Sequence, residues 1–335
     1  MKRQLFVWTV LVSLACACST ETALQRLLGI ETVTPVFYGC KTPSDGEVHF
    51  LFSSGVKVTS LYFDPPMETE ILSQGDTLVV RFNSALPGGS KITADILVED
   101  KRGNTLNVLA GFRTRNSRVP DLVINEIRTE YSSSTNTAGV TKYNVEFIEL
   151  KARQAGNLGA VRIFAAGYGK EPIFEFPPVE VAAGEYVVLH TRTVEAEKDL
   201  VVDETGANKS ESRGSVSISG VRDFWIPLSK KLLHKTDVIY VMDQDDRIID
   251  GVVMKEEDKP WKEPAAAAAE LLFGQGAWNG PAPEDAFNST NTTAARTICR
   301  VEDQDSGGAA DWYIVDSRGT SSGSSPGTRN NTKRY

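Results

Sequence analysis

Histidine is scarce in this sequence, with three residues in 335: His49, His190 and His234. None stands at ligand spacing to another or beside a cysteine motif, so a zinc centre would need them to converge from distant strands. No Gly-x-Ser-x-Gly, P-loop or dinucleotide-binding glycine pattern is present. A nucleophile elbow and a phosphate cradle therefore have no support in the sequence, and no catalytic residue is assigned. Positive charge is in deficit: 36 Lys+Arg face 44 Asp+Glu, a net charge of −8. Nucleic acid is not an expected partner, because its footprint needs a basic stripe. Long apolar runs are missing too. The one in residues 5–14 is too short to span a bilayer as a helix. What remains, 41% hydrophobic and 8% aromatic, is the composition of a globular chain whose length suits two or three domains.

The N-terminus "MKRQLFVWTVLVSLACAC" has a positive start at Lys2 and Arg3, a short apolar stretch, and small residues around Cys16 and Cys18. That is the layout of an export signal. A cysteine directly after such a stretch resembles the lipobox of bacterial lipoproteins. Cys18, with Leu14, Ala15 and Ala17 before it, fits a relaxed, spirochaete-like form; Cys16, after Ser13, Leu14 and Ala15, is the alternative. An ordinary secretory signal with an incidental cysteine pair is the competing reading. The resemblance implies a chain held to a membrane by N-terminal lipid, in the periplasm or at the surface of a bacterial envelope. Residues 1–18 are then the signal and 19–34 a tether, in which "ALQRLLG" allows a turn or two of helix. In that oxidising compartment Cys40 and Cys299 are candidates for a disulfide stapling the N-terminal region to the C-terminal one; two separate buried thiols are the other possibility.

Residues 35–116 carry short strand patterns such as "EVHFLFS", "VKVTSLYF", "DTLVVRFN" and "KITADILVED". Turn-forming "SDG", "SSG", "SQGD", "LPGGS" and "KRGN" separate them, the rhythm of a β-sandwich. "ALPGGSKITADILVEDKRGNTLNVLAGFRTR" resembles the end of bacterial immunoglobulin-like domains. A proline-containing linker, 117–121, follows.

From residue 122 to 331, five pieces occur in order: "LVINEIRTE", "VEFIELKARQAGNLGAVRIF", "FEFPPVEVAAGEYVVLHT", "KTDVIYVMDQDDRIIDGVVM" and "RTICRVEDQD…DWYIVDSRGTSSGSSPGTRN". Together they resemble a lamin-tail domain, which implies a second immunoglobulin-like sandwich. The sequence departs from that family at Asp245-Asp246-Arg247, where the late hairpin usually has a glycine, and in two insertions. One is polar, 193–224. The other contains a short Ala-rich helix over 264–273, with proline in its first turn and Gly274 beyond its end. Leu271, Leu272, Phe273 and Trp278 are its expected docking surface, the five alanines offering little to pack.

The polar residues in "INEI" and "EFIEL" raise the question of an acid/base site. Period-two alternation sends Asn125 and Glu126 to opposite faces, and likewise Glu146 and Glu149, so neither strand holds a close carboxylate pair. They read as scaffold polars that fix neighbouring loops. Two acidic turns are weighed as calcium sites: Asp243, Asp245, Asp246 and Asp250 in one, and Glu302, Asp303, Asp305 and Asp311 in the other, the stronger being Asp303, Asp305 and Asp311. Both depart from the EF-hand pattern, and solvated turn acids are the expectation. Sequons at Asn208, Asn288, Asn291 and Asn330 mark surface loops only in a eukaryotic secreted protein.

The sequence thus predicts an all-β chain: two immunoglobulin-like β-sandwiches in tandem, a short Ala-rich helix in the second, and no cofactor unless calcium. Its expected role is a non-enzymatic envelope lipoprotein that binds a protein or glycan through loops and sheet edges. The alternatives are an accessory component of an exported hydrolase or nuclease system, and a calcium-dependent adhesin.

Overall fold

The computed structural model describes residues 34–318 and 323–335. Cys16, Cys18 and nearly all of the expected tether lie outside the described residues. No helix among the described residues is long and apolar enough to cross a membrane. The chain is all-β and divides into two compact units, one of residues 34–84 with Lys91–Phe112, the other of Ala85–Ser90 with Arg113–Tyr335.

The first unit contains β1 (Phe37–Ser44), β2 (Glu47–Phe52), β3 (Val56–Asp64), β4 (Thr69–Ser73), β5 (Thr77–Phe82), β6 (Lys91–Asp100) and β7 (Thr105–Arg113). Their order is β1-β2-β5-β4 in one sheet and β3-β6-β7 in the other, the strand arrangement of a seven-stranded immunoglobulin constant-type sandwich. Alternation does the sorting. Val48, Phe50 and Phe52 of β2, Leu78, Val80 and Phe82 of β5, and Ile92, Ala94, Ile96 and Val98 of β6 are buried, while the residues between them are more exposed. Phe50, Phe63 and Phe82 surround Phe112 at centroid separations of 5.9, 6.4 and 6.4 Å, two of the contacts edge-on and one stacked.

The second unit runs through β8 (Leu122–Arg128), β9 (Ser132–Thr135), β10 (Thr141–Asn144), β11 (Phe147–Ala152), β12 (Gly156–Asn157), β13 (Arg162–Ala165), β14 (Phe174–Glu175), β15 (Glu180–Val181), β16 (Tyr186–His190) and β17 (Arg222–Trp225). It continues with β18 (Asp237–Met242), β19 (Ile248–Lys255), the helix α1 (Glu263–Gly274), β20 (Phe287–Asn288), β21 (Ile298–Arg300) and β22 (Trp312–Ile314). A six-stranded sheet, β17-β16-β11-β8-β21-β22, and a five-stranded one, β14-β13-β18-β19-β20, hold the main core. Every residue of β8 and β18 is buried, so these strands are covered on both faces.

Two expectations change here. The segment 116–121 is built into the second unit and is not a free linker. Asn116 Nδ2 donates to the carbonyls of Asn157 and Gly159 at 2.8 Å each. The Asn157 amide donates to the Arg118 carbonyl and the Arg153 amide to that of Asp121, both at 2.7 Å. Gly156 permits this approach, since a Cβ there would stand 2.4 Å from the Arg118 carbonyl oxygen. The docking face of α1 also differs. Ala265, Ala268, Ala269 and Leu272 are buried, and Trp278 with them, whereas Leu271 and Phe273 are exposed. Small side chains at i, i+3 and i+4 let the helix approach the sheet closely, a gain that propensity does not register. Leu272 fills the space over Gly251, where a Cβ would meet its Cδ2 at 2.4 Å.

Candidate functional site

The densest polar cluster begins with a β-bulge. In the pairing of β8 with β11, Glu149 lies opposite Glu126 but Leu150 lies opposite Ile124, so Asn125 is the extra residue. A bulge breaks the two-residue alternation. Ile124 and Ile127, three apart, both reach the main core, and Asn125 and Glu126 both enter the polar cluster. The backbone groups at the bulge find other partners. Ile124 N–H donates to Asp250 Oδ2 at 2.6 Å, Ile124 O accepts from Arg300 Nε at 2.8 Å, and Asn125 O accepts from Asn330 Nδ2 at 3.0 Å.

Cross-strand register places Asp223, Val188, Glu149, Glu126, Cys299 and Tyr313 in one row across all six strands of the larger sheet. Residues directly opposite each other share a face. Glu126 and Glu149 are therefore a buried cross-strand carboxylate pair, which alternation within single strands does not disclose. Burial pushes the Glu126 carboxyl up, and burial together with the Glu126 charge pushes Glu149 well above the carboxylate range.

The C-terminal segment 323–331 meets both carboxylates. Glu126 accepts from Thr297 Oγ1 at 2.5 Å and from the Ser325 amide at 3.0 Å. Glu149 accepts from Asn125 Nδ2 at 2.6 Å and from the Gly327 amide. Gly327 has φ +82°, and a Cβ there would stand 2.4 Å from Val221 Cγ2, so glycine is needed on both counts. Asn330 donates to the carbonyls of Asn125 and Arg300 at 3.0 Å each. The network can do one thing directly: clamp the end of the chain over the sheet.

The other acids take separate places. Glu146, fully buried, receives a bidentate pair from Arg192 at 2.7 and 2.6 Å. Asp250 lies in the interior beside Arg300 at 2.5 Å. Asp243 Oδ1 accepts the amides of Asp245 and Arg247, and Asp246 adopts φ +61° where the resemblance expected a glycine. Asp245 and Asp246 pair with Arg115 and Arg162.

Asp303, Asp305 and Asp311 do not gather around one point. Asp305 pairs with Arg153 at 2.7 Å and Arg300 at 3.2 Å. Asp311 accepts the Ser306 amide and hydroxyl at 2.7 Å each, closing its own loop. Among the described residues no three His, Cys, Asp or Glu side chains are grouped to hold a metal. A cavity of about 200 Å³ beside this loop is lined by Lys151, Arg153, Arg300 and Arg329 as well as Glu302 and Asp303. These cations are paired with acids: Lys151 and Arg329 with Glu302, Arg153 with Asp121 and Asp305, and Arg300 with Asp250 and Asp305.

Cys40 and Cys299 are both free thiols. Cys299 is fully enclosed, with Glu126 and Tyr313 as its cross-strand neighbours, and burial pushes its pKa well up. A bridge would require that sulfur to leave the core. The histidines are also dispersed. His49 Nε2 lies 2.5 Å from Glu47. His190 is buried, its Nε2 2.9 Å from Asp223 and its ring stacked on Trp225 at 3.9 Å.

The polar insertion 193–224 is more ordered than its composition implies. Glu204, 1% exposed, accepts the amides of Glu211, Ser212 and Asp223. The insertion also supplies β17, a parallel edge strand beside β16.

Fold and cluster together define a two-unit β-sandwich protein whose second unit is closed by its own C-terminus. The chain belongs to the TP_1001_2nd family, described as a "protein second domain", which matches residues 120–314. That match falls within the second unit. An "Uncharacterized protein" of Treponema pallidum (strain Nichols) is 26% identical over 253 residues, covering 70% of this chain and 61% of the relative. The chain thus spans about six-tenths of that relative's length. Among solved structures, a DUF4876 family protein from Bacteroides thetaiotaomicron matches at 12% identity and TM-score 0.30, over 79% of this chain and 87% of that one. The N-terminal part of the bacterial S-layer protein SbsC matches at 11% identity and TM-score 0.22, over 72% and 49%.

Proposed function

We propose that this chain is a non-enzymatic module of a bacterial cell envelope, lipid-anchored at Cys18 or alternatively Cys16. On this reading it binds a protein or glycan through the loops and edges of its two sandwiches, the second being lamin-tail-like. The observation that carries the proposal is the convergence of Asn125 and Glu126 of "INEI", Glu149 of "EFIEL" and Gly327 and Asn330 of "SPGTRN" on one buried network. Residues some 200 positions apart in sequence meet to close the fold, so the acids of these motifs act as a structural lock. The lock leaves loops and edges as the surfaces for recognition.

Stable membrane attachment needs more than one acyl chain, as a diacylated or triacylated cysteine supplies. Metabolic labelling with a fatty-acid analogue tests the anchor. Label on the wild type, absent from a Cys16→Ser, Cys18→Ser variant, is the expected result; label retained by that variant would refute it. Affinity capture with the mature chain, followed by identification of what is retained, tests the binding role.

A further inference from the structure

The four edge strands of the first unit are not closed alike. β1 is broken by register shifts at Phe37/Gly39 and at Lys41/Ser44, with Gly39 at φ +132°. β4 has five residues, a shift between Ile71 and Ser73, and Glu70 beside Arg81. β3 carries Lys57 and a shift between Val58 and Ser60, and its Val56 and Val58 amides donate to Gly75 O and Gln74 Oε1. Short length, charge and bulges keep sheet edges from pairing with other chains. β7 has none of them. It is nine residues long, and from Thr105 to Phe112 it contains no charged residue and no proline.

Its register is unbroken as well. The Asp100 amide donates to the Asn104 carbonyl at one end of the β6–β7 pair, and the Thr114 amide to the Ser90 carbonyl at the other, at 2.9 and 3.0 Å. Ten positions separate these ends on either strand, so neither strand holds an extra residue. Antiparallel pairing alternates the bonded side. Even-numbered residues of β7 therefore face β6, and the N–H and C=O groups of Thr105, Asn107, Leu109 and Gly111 point away from it. Among the described residues nothing bonds to that side. All four residues are exposed, Leu109 at 75%.

An open strand edge is completed by another strand, through main-chain hydrogen bonds. An edge that selects a charged partner carries the opposite charge; this one, neutral over eight residues in a chain 24% charged, is complementary to itself. A two-fold axis at Leu109 sets Leu109 against Leu109, Asn107 against Gly111, and Thr105 against Arg113, so no like charges meet. The outward backbone groups of the two Leu109 residues then exchange both bonds at the axis, and their side chains cover each other on one face. One patch serves both copies, which closes the assembly at two.

We propose that two copies of this chain join antiparallel through β7, continuing β3-β6-β7 into a six-stranded sheet across a two-fold axis at Leu109. The proposal is independent of the lipid anchor and of any ligand held by the loops.

Sedimentation equilibrium of the full chain tests it. The expected result is a monomer–dimer equilibrium whose dissociation constant rises about tenfold in Leu109→Lys and in Leu109→Glu, because each sets like charges against each other at the axis. An equimolar mixture of the two variants should recover the dimer, since Lys then faces Glu. Val140→Lys, at a side chain 62% exposed in the second unit, should leave the constant unchanged. A wild-type chain that stays monomeric, a dimer indifferent to both Leu109 variants, or a mixture no better associated than its parts would overturn the proposal. Circular dichroism of each variant separates loss of pairing from loss of fold, and the wild-type measurement stands whatever the variants do.

Discussion

Asn125 carries the largest divergence between the sequence pattern and the structure. Strict alternation separates it from Glu126, and one extra residue in β8 reunites them. The bulge leaves no mark in composition; its signal is the partners it requires, Asp250, Arg300 and Asn330, which lie 126, 176 and 205 positions away. A reading confined to neighbouring residues therefore recovers the scaffold role of these polars but not the pairing of Glu126 with Glu149. Replacing Glu149 by Ala removes the acceptor of both Asn125 Nδ2 and the Gly327 amide. The expected cost is about 1–3 kcal/mol, the penalty of a buried donor left unpaired. A chemical-denaturation midpoint measures it, and limited proteolysis should show earlier cleavage within 323–331. Unchanged proteolysis would remove Glu149 from the role of clamp. Asp237 gives a prediction in pH. Burial raises its carboxyl to about 7, against three backbone amides that favour the charged form. Folded protein then holds this proton more tightly than unfolded chain, whose aspartate titrates near 3.9. Its stabilising contribution is complete below about pH 4 and is lost as the pH rises through about 7, on the order of 4 kcal/mol across that window. Stability should therefore fall between pH 5 and pH 8, with Glu149 acting in the same direction, and Asp237→Asn should flatten the slope. Parallel slopes for the two proteins would show that Asp237 does not titrate in this range.

At the scale of elements, alternation is a sufficient guide wherever one face of a strand is buried. β2, β5 and β6 follow it residue by residue. It fails where both faces are covered, as in β8 and β18, because burial then no longer selects one parity. The parallel strand β17 was illegible for another reason. Its four residues are held by a distant neighbour, β16, and by Glu204 and Asp203 within a polar insertion. The helix α1 was legible in existence but not in orientation, since large apolar residues drew the expectation toward Leu271 and Phe273. The alanine face makes two contrasting predictions. Gly251→Ala sets a methyl against Leu272 and Tyr240 and should cost about 1–3 kcal/mol by overpacking. Phe273→Ala, at a side chain 50% exposed, should change stability by no more than about 0.5 kcal/mol. Equal effects of the two in denaturation would mean that the helix docks through its apolar C-terminal residues after all.

At the scale of the molecule, turn chemistry and strand rhythm made two sandwiches visible, while the compact units divide between Phe112 and Arg113, ahead of the expected linker 117–121. Residues 117–121 read as a linker because they are short, polar and contain Pro120. The hydrogen bonds that tie them down come from Asn157 and Arg153, which no local pattern announces. The long segment of the second unit begins at Arg113, whose guanidinium pairs with Glu175 at 2.5 Å, and continues through Arg115, paired with Asp245. Asn116, 6% exposed, adds its two bonds to the carbonyls of Asn157 and Gly159. A fragment of residues 113–335 keeps all of these; a fragment of residues 119–335 loses them and leaves two buried carbonyls without a donor. Unpaired buried groups cost roughly 1–3 kcal/mol each, and in a domain of this size 1 kcal/mol moves the melting temperature by about 2–4 °C. Both fragments lack Ala85–Ser90, so that loss is common to the pair and cancels in the comparison. The longer fragment should give β-type circular dichroism and a single cooperative melt, and the shorter one should melt several degrees lower. Mass mapping without reductant should find Cys299 free in the parent chain, so neither fragment loses a disulfide. Equal melting temperatures would return the boundary to residues 117–121, and a longer fragment without a cooperative melt would mean that the second unit does not fold alone.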